Sequence, residues 1–97
     1  MSKAAITADE KGQLIVSGEL NFATIVGLWS QSLPLFTNRS HIDIDLSQVT
    51  LSNSAGVALL IEWLKYAKQT NKAIMFHRIP AQLQSIAAVA GVALALH

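Results

Sequence analysis

Apolar and polar residues alternate most regularly in the middle of the chain. Between residues 41 and 46 every second side chain is apolar, which is typical of a strand with one covered face. Residues 47–53 mix hydroxyl and amide side chains with apolar ones, and they predict a polar loop. From residue 55 to about residue 70 the apolar spacing is helical. The centre of the chain is therefore predicted to be a strand, a loop and a long helix in direct succession.

The N-terminal half adds a hairpin and a first helix. Strand-like runs at 4–8 and 13–17 flank a polar segment that ends in glycine, which is a turn signal. Residues 18–21 are predicted to break the second strand. Residues 22–33 then carry apolar side chains at helical spacing. Pro34 is predicted to end this helix, because proline disfavours helical geometry in the residue before it.

The C-terminal half adds a strand at 73–77 and a last helix that opens at Pro80, since proline is tolerated in a first turn. The apolar run 86–96, interrupted by Gly91, is shorter than the ~20 residues of a membrane-spanning helix. It predicts a packed or interfacial helix. The order strand, strand, helix, strand, helix, strand, helix predicts a small α/β layer, with a mixed sheet and helices mainly on one face. The prediction is one domain over 1–97.

Composition narrows the range of functions. Only 13% of the residues are charged and 52% are apolar, whereas about a quarter of an ordinary domain is charged. Such a chain is expected to keep apolar surface for a partner. The net charge is +1 and the charged residues are spread along the chain, which does not indicate nucleic-acid binding. No cysteine and no signal-peptide pattern are present, so we expect a cytoplasmic protein without direct membrane insertion.

The long helix has an unusually wide apolar arc. At about 100° per residue, Trp63 falls on the core stripe, and Ala55, Leu59 and Tyr66 fall on a flank just outside it. Glu62 falls on the opposite face. One interpretation is a deeply buried helix. The other, favoured by the adjacent polar loop, is a helix that packs on the core and binds a partner with its flank.

The end of the polar loop supplies the candidate docking site. Its last residues are good N-caps, because their side-chain oxygens can accept hydrogen bonds from the unpaired N–H groups of the first turn. A helix N-terminus with small polar residues suits docking or anion binding. The predicted partner-binding residues are Ser52, Asn53, Ser54, Ala55, Leu59, Trp63 and Tyr66.

Two other sets of polar residues are candidates for a metal site and for a catalytic site. His41, Asp43 and Asp45 share one strand face and could surround a metal, but the sequence suggests no fourth ligand. The solvent-facing side of a half-covered sheet is the favoured interpretation. Ser54 could be activated by His77, but no Gly-x-Ser-x-Gly elbow accompanies it. We therefore predict no catalytic residue, no metal and no cofactor.

The central segment resembles the signature of STAS domains, which occur in anti-sigma factor antagonists and sulfate transporters. In that family a strand ending in Asp-Leu-Ser leads through a loop to Asp-Ser-Ser-Gly or Asp-Thr-Gly-Gly at a helix start. Here residues 45–47 are Asp-Leu-Ser and residues 53–56 are Asn-Ser-Ala-Gly. Ser-Gly-Glu-Leu at 17–20 and the order of elements also agree, so the resemblance covers most of the chain.

Within the family, Trp29 and the run 56–60 make the chain similar to the small STAS subunits of phospholipid-transporting ABC complexes. This resemblance implies a non-catalytic protein whose partner is the ATPase subunit of the ABC transporter. It implies a role in stabilising or activating that ATPase, with Ser54 as the matching loop hydroxyl. It also implies a place at the periphery of the inner membrane, held there through the complex.

Two positions depart from the family pattern. In phosphorylated anti-sigma factor antagonists the acceptor is the hydroxyl residue directly before the glycine, and here that residue is Ala55. The acidic residue of the family is replaced by Asn53. Both changes favour a constitutive docking surface. An anti-sigma factor antagonist controlled by serine phosphorylation stays the alternative.

Overall fold

A computed structural model describes residues 4–89, apart from the side chain of Val89. Within this range the elements follow the predicted order. They are β1 (Ala5–Ala8), β2 (Leu14–Leu20), α1 (Ile25–Phe36), β3 (His41–Ser52), α2 (Ser54–Gln69), β4 (Ala73–His77) and α3 (Ala81–Val89). The predicted interruption at Gly91, and most of the apolar run 86–96, lie outside the described residues.

The strands form one mixed sheet in the order β1-β2-β3-β4. β1 is antiparallel to β2, and the β2–β3 and β3–β4 pairs are parallel. The alternating apolar residues of β3 are buried beneath the helices. All three helices contribute to the same buried cluster, which includes Leu14, Val16, Ile42, Ile44, Leu46, Leu28, Phe36, Leu60, Trp63, Phe76 and Leu83. The predicted α/β layer with helices on one face is confirmed.

β2 and β3 are longer than predicted. Gly18 does not break β2, because it adopts a positive φ of 94° at an irregularity in the register, after which the strand continues. The pairing with β3 then runs on to the partners Leu20 and Ser52. The predicted polar loop at 47–53 is therefore mostly strand. The backbone groups of these residues pair with β2, and nothing in their own side chains indicates this pairing.

α1 begins three residues later than predicted because a capping turn precedes it. Asn21 Oδ1 accepts hydrogen bonds from the N–H groups of Ala23 and Thr24, at 2.8 and 3.0 Å. The Thr24 hydroxyl donates to the carbonyl of Glu19 at 2.7 Å. This turn fixes the entry of the chain from β2 into α1.

α1 also continues past Pro34 to Phe36, so the predicted end of the helix is wrong. The reason is tertiary packing. Phe36 is fully buried, and its ring centroid lies 6.1 Å from that of Trp63 and 5.6 Å from that of Tyr66. Burial of one large aromatic side chain contributes about 1.5–3 kcal/mol, enough to offset much of the cost of a proline near a helix end.

Asp45 is buried, although the pattern predicts a solvent-facing strand face. Its Oδ2 accepts hydrogen bonds from Arg78 Nη2 at 2.6 Å and Nε at 3.1 Å, and its Oδ1 accepts from the Ser47 N–H at 2.8 Å. Asp43 Oδ1 lies 2.9 Å from His77 Nε2. These pairs tie neighbouring strands together. Among residues 4–89 no group of three or more His, Asp or Glu side chains is placed to hold a metal ion.

The ion pair makes the stability of the fold depend on pH. Burial alone would raise the pKa of Asp45, but hydrogen bonds from Ser47 and the guanidinium of Arg78 outweigh it and hold the pKa below its ordinary value. A carboxyl whose pKa is lowered by folding stabilises the fold above its unfolded pKa, about 4. That contribution is lost as the pH falls through the folded pKa.

We therefore expect Arg78→Met to lower the free energy of unfolding by about 1 kcal/mol at pH 7, a figure reduced by the solvent exposure of the arginine. The loss should shrink at an acidic pH below the folded pKa of Asp45, where this carboxyl becomes protonated. Urea unfolding at the two pH values measures the difference. An equal loss at both pH values would show that the ion pair does not stabilise the fold.

Candidate functional site

The start of α2 lies at the edge where the parallel strands β2 and β3 both end. β2 leads through Asn21 into α1, and β3 leads through Asn53 into α2. In open α/β sheets, the carboxyl ends of parallel strands are the usual place for a binding site. The same edge carries the exposed side chains of Phe22 and Ser54. Two helix starts and their exposed residues therefore share one surface.

Asn53 is the N-cap of α2. Its backbone is extended, and its Oδ1 accepts a hydrogen bond from the Ala55 N–H at 2.8 Å. Ser54 is the first helical residue and is exposed, so its hydroxyl is available at the surface. The first turn contains no acidic residue. The positive end of the helix dipole therefore meets solvent beside a small hydroxyl residue.

Gly56 allows α2 to begin directly against the end of β2. A Cβ at this position would collide with the hydroxyl oxygen of Ser52 and would lie 3.2 Å from Leu20 Cδ1 and 3.3 Å from Leu20 Cβ. The Ser52 hydroxyl is itself held by a hydrogen bond of 3.0 Å to the carbonyl of Asn53. Only glycine leaves room for this contact. This contact fixes the distance between the first turn of α2 and the sheet.

An apolar groove lies between the N-terminal halves of α1 and α2. Its volume is about 160 Å³, and its walls are Ile25, Val26, Trp29, Ala58, Leu59 and Glu62. Ser54, Ala58 and Glu62 succeed one another at intervals of one helical turn, and all three are exposed. The groove is therefore continuous with the exposed first turn of α2.

Large exposed apolar side chains lie at the edge where β2 and β3 end, and one of them, Val26, lines the groove. Phe22, in the turn before α1, is 70% exposed, and Val26, in the first turn of α1, is 69% exposed. Leu51, near the end of β3, is 51% exposed. Within residues 4–89 these are the large apolar side chains with the greatest exposure. Their position at one edge, beside an apolar groove, is the arrangement of a protein-binding surface.

The structure divides the seven predicted partner-binding residues into three groups. Asn53 and Ser54 are exposed at the start of α2, as the docking hypothesis requires. Tyr66 is half-buried and packs edge-on against Trp29, with ring centroids 6.1 Å apart. The other four are interior: Ser52, Ala55, Leu59 and Trp63. The expected exposure of Ser52, Ala55 and Leu59 is wrong, whereas Trp63 lies in the core, as its place on the core stripe indicated.

Each interior residue is covered by a neighbouring element. The indole N–H of Trp63 donates to the Ser32 hydroxyl of α1 at 2.9 Å, which ties the two helices together. Leu59 is 3% exposed because α1 covers the flank that was expected to be open. The backbone N–H of Ser52 donates to Gln82 Oε1 of α3 at 3.1 Å. A partner would reach Ser52 or Trp63 only if α1 or α3 moved, whereas Leu59 presents a small part of its surface at the wall of the groove.

Several site residues were missed by sequence reasoning. Ile25, Val26, Trp29 and Ala58 line the groove, and Glu62 lies at its wall although it was expected to point away from any site. One signal was present in the sequence. Phe22, Val26 and Trp29 recur at i, i+4 and i+7, which is a second apolar stripe on the helix predicted over 22–33.

The described residues do not assemble the serine–histidine pair that was considered. His77 pairs in register with Asp45, whereas Ser54 lies beyond the end of β3. At about 3.3 Å per strand residue, the two are on the order of 20 Å apart. No helix in the described part of the chain combines the length and apolar character needed to cross a bilayer.

A mixed four-stranded sheet with three helices on one face, and a capped helix start at the strand ends, has the architecture of a STAS-like fold. The model of the family described as "Mlab, STAS domain" matches residues 5–96. The chain therefore belongs to the MlaB-like STAS domain family, which confirms the resemblance seen in the sequence. STAS domains are generally non-catalytic. No curated protein matches the chain.

The contact at Gly56 can be tested by a pair of glycine substitutions. Gly56→Ala should lower the free energy of unfolding by about 1–3 kcal/mol, because overpacking outweighs the gain in helix propensity. Gly27→Ala in α1 should instead raise it by about 0.5–1 kcal/mol. There the added Cβ meets only Gln31 Nε2, at 3.9 Å. Chemical denaturation of both variants measures the effect. Stabilisation by both substitutions would contradict the close contact.

Proposed function

We propose that the chain is a non-catalytic subunit that binds and supports the MlaF-like ATPase of an Mla-type ABC transporter. The transporter moves phospholipids and thereby maintains the lipid asymmetry of the outer membrane. The chain acts in the cytoplasm and reaches the inner membrane only through this complex. Membership of the MlaB-like family supports the proposal. Neither a cofactor nor nucleic acid takes part in it.

The observation that carries the proposal is the apolar groove and its exposed border. Phe22 and Val26 leave most of their side-chain surface in water, at a cost of ~25 cal/mol for each Å² of apolar area. Covering them, together with the groove, is the favourable step that a protein partner can supply. Ser54 lies on the same edge, so a bulky side chain at this position should interfere with partner binding.

The alternative is an anti-sigma factor antagonist controlled by phosphorylation. In that mechanism the acceptor hydroxyl would stand where this chain has Ala55, which is fully buried and has no hydroxyl. Ser54 is exposed one residue earlier, but no charged side chain of the first turn surrounds it. These features favour constitutive docking over a phosphorylation switch.

The test is co-purification of the chain with the transporter ATPase subunit. Ser54→Arg places a long cation where the partner must approach, and Ala58→Asp places a charge in the apolar groove. Each should weaken binding by about 30-fold or more, which corresponds to the ~2 kcal/mol of an interface hot spot. Circular dichroism should stay that of a folded domain, since both positions are exposed.

Matched controls are available on α3. Ser85→Arg and Ala88→Asp change the same residue types at exposed positions outside the groove, and they should bind as the wild type does. Leu59→Asp is unsuitable because it places a charge in the core and should unfold the domain. Wild-type binding by Ser54→Arg and Ala58→Asp would contradict the proposed surface. Co-purification of a kinase-like anti-sigma factor in place of the ATPase would favour the alternative.

A further inference from the structure

We infer that the groove between α1 and α2 receives a short amphipathic helix of the partner protein. That helix carries one bulky apolar anchor side chain and, one turn away, a lysine or arginine that faces Glu62. The inference rests on the proposed docking function and specifies the chemistry that the partner must present.

The size of the groove sets the size of the anchor. Its volume of about 160 Å³ is close to that of an engineered protein cavity of ~150 Å³ that stays dry and binds benzene. One phenylalanine, leucine or methionine side chain is therefore sufficient to fill it. The walls, including the part of Glu62 that lines them, are almost wholly apolar, so a charged or strongly polar anchor would lose its hydration without gaining a partner.

Glu62 defines the charge of the second contact. Within residues 4–89 its charged neighbour is Lys65, whose Nζ lies 3.7 Å from Oε1, beyond hydrogen-bonding distance. Both side chains are more than half exposed, so this pair contributes little to the stability of the fold. The exposed carboxylate therefore keeps acceptor capacity at the rim of the apolar groove. A cation on the partner complements it, and an anion there would be repelled.

The spacing of the two contacts indicates a helix. Ala58 and Glu62 are four residues apart on α2, so they lie slightly more than one turn, about 6 Å, apart along the helix axis. A partner helix that lies along α2 presents residues i and i+4 at the same interval. The small side chain of Ala58, which is exposed, allows the backbone of such a helix to approach closely.

The inference is tested with a peptide rather than with the ATPase. The probe is an alanine-rich helical peptide that carries one phenylalanine and, four residues later, one lysine. It is added to the ¹⁵N-labelled full-length chain, and amide chemical shifts are followed by NMR. We expect the largest changes at Ile25, Trp29, Ala58 and Glu62. Replacing the lysine of the peptide with glutamate should weaken binding about threefold, as expected for an exposed ion pair.

Two variants of the chain make the result specific. Glu62→Lys should reverse the preference, so that the glutamate peptide binds better than the lysine peptide. Ala58→Phe should fill the groove and abolish the shift changes, whereas the matched control Ala88→Phe on α3 should leave them unchanged. Shift changes centred elsewhere, no binding at millimolar peptide, or an unchanged preference in Glu62→Lys would each overturn the inference. So would a dimer of the wild type, detected by light scattering, that closes the groove.

The inference and the proposed function fail in different ways. If the ATPase subunit binds the wild-type chain but the peptide does not occupy the groove, the docking function stands and the inferred anchor is wrong. If the peptide occupies the groove with the expected charge preference but the ATPase subunit does not bind, the chemistry of the groove stands and the identity of the partner is wrong.

Discussion

The structure depends on the direct contact between the first turn of α2 and the end of β2, which glycine at position 56 makes possible. Because no side chain separates Gly56 from Leu20 and Ser52, α2 begins as soon as β3 ends. This places the cap residue Asn53 and the exposed Ser54 at the edge of the sheet. It also brings the next turn of α2, with Ala58, level with the start of α1, where the groove forms.

The same contact explains why an apolar groove persists in a well-packed domain. In the C-terminal halves of the two helices, the hydrogen bond between Trp63 and Ser32 and the packing of Phe36 hold α1 and α2 together. Toward their N-termini the helices leave a gap, which is lined by Ile25, Trp29, Ala58 and Leu59 among others. A domain of this kind can keep a stable core and still present exposed apolar surface. That combination suits a subunit whose role is to bind another protein.

Much of the fold is predictable from the sequence, because local patterns and global packing agree in its central part. The alternation at 41–46, the helix after Asn53 and the strand at 73–77 were all indicated by periodicity. The predictions failed where distant residues decide the local structure. α1 continues past Pro34 because of aromatic packing, and the strand pairing between β2 and β3 extends through residues that resemble a loop.

The candidate site was predictable only in part, for a similar reason. The exposure of Asn53 and Ser54 follows from capping chemistry, which is local. The burial of Leu59 and the position of Glu62 at a groove wall follow from where α1 packs. A helical wheel describes one helix and carries no information about its neighbour. The half-buried Trp29 belongs to the site for the same reason, since only the pairing of two helices makes a groove.

The central claim is that a protein partner covers the groove edge. Hydrogen–deuterium exchange of the chain, free and bound to the transporter ATPase subunit, tests this claim without any substitution. Binding should slow exchange in segments 21–29 and 53–62 and leave exchange in Ala81–Val89 unchanged. Slowed exchange confined to α3 or β1, with no change in those two segments, would contradict this claim.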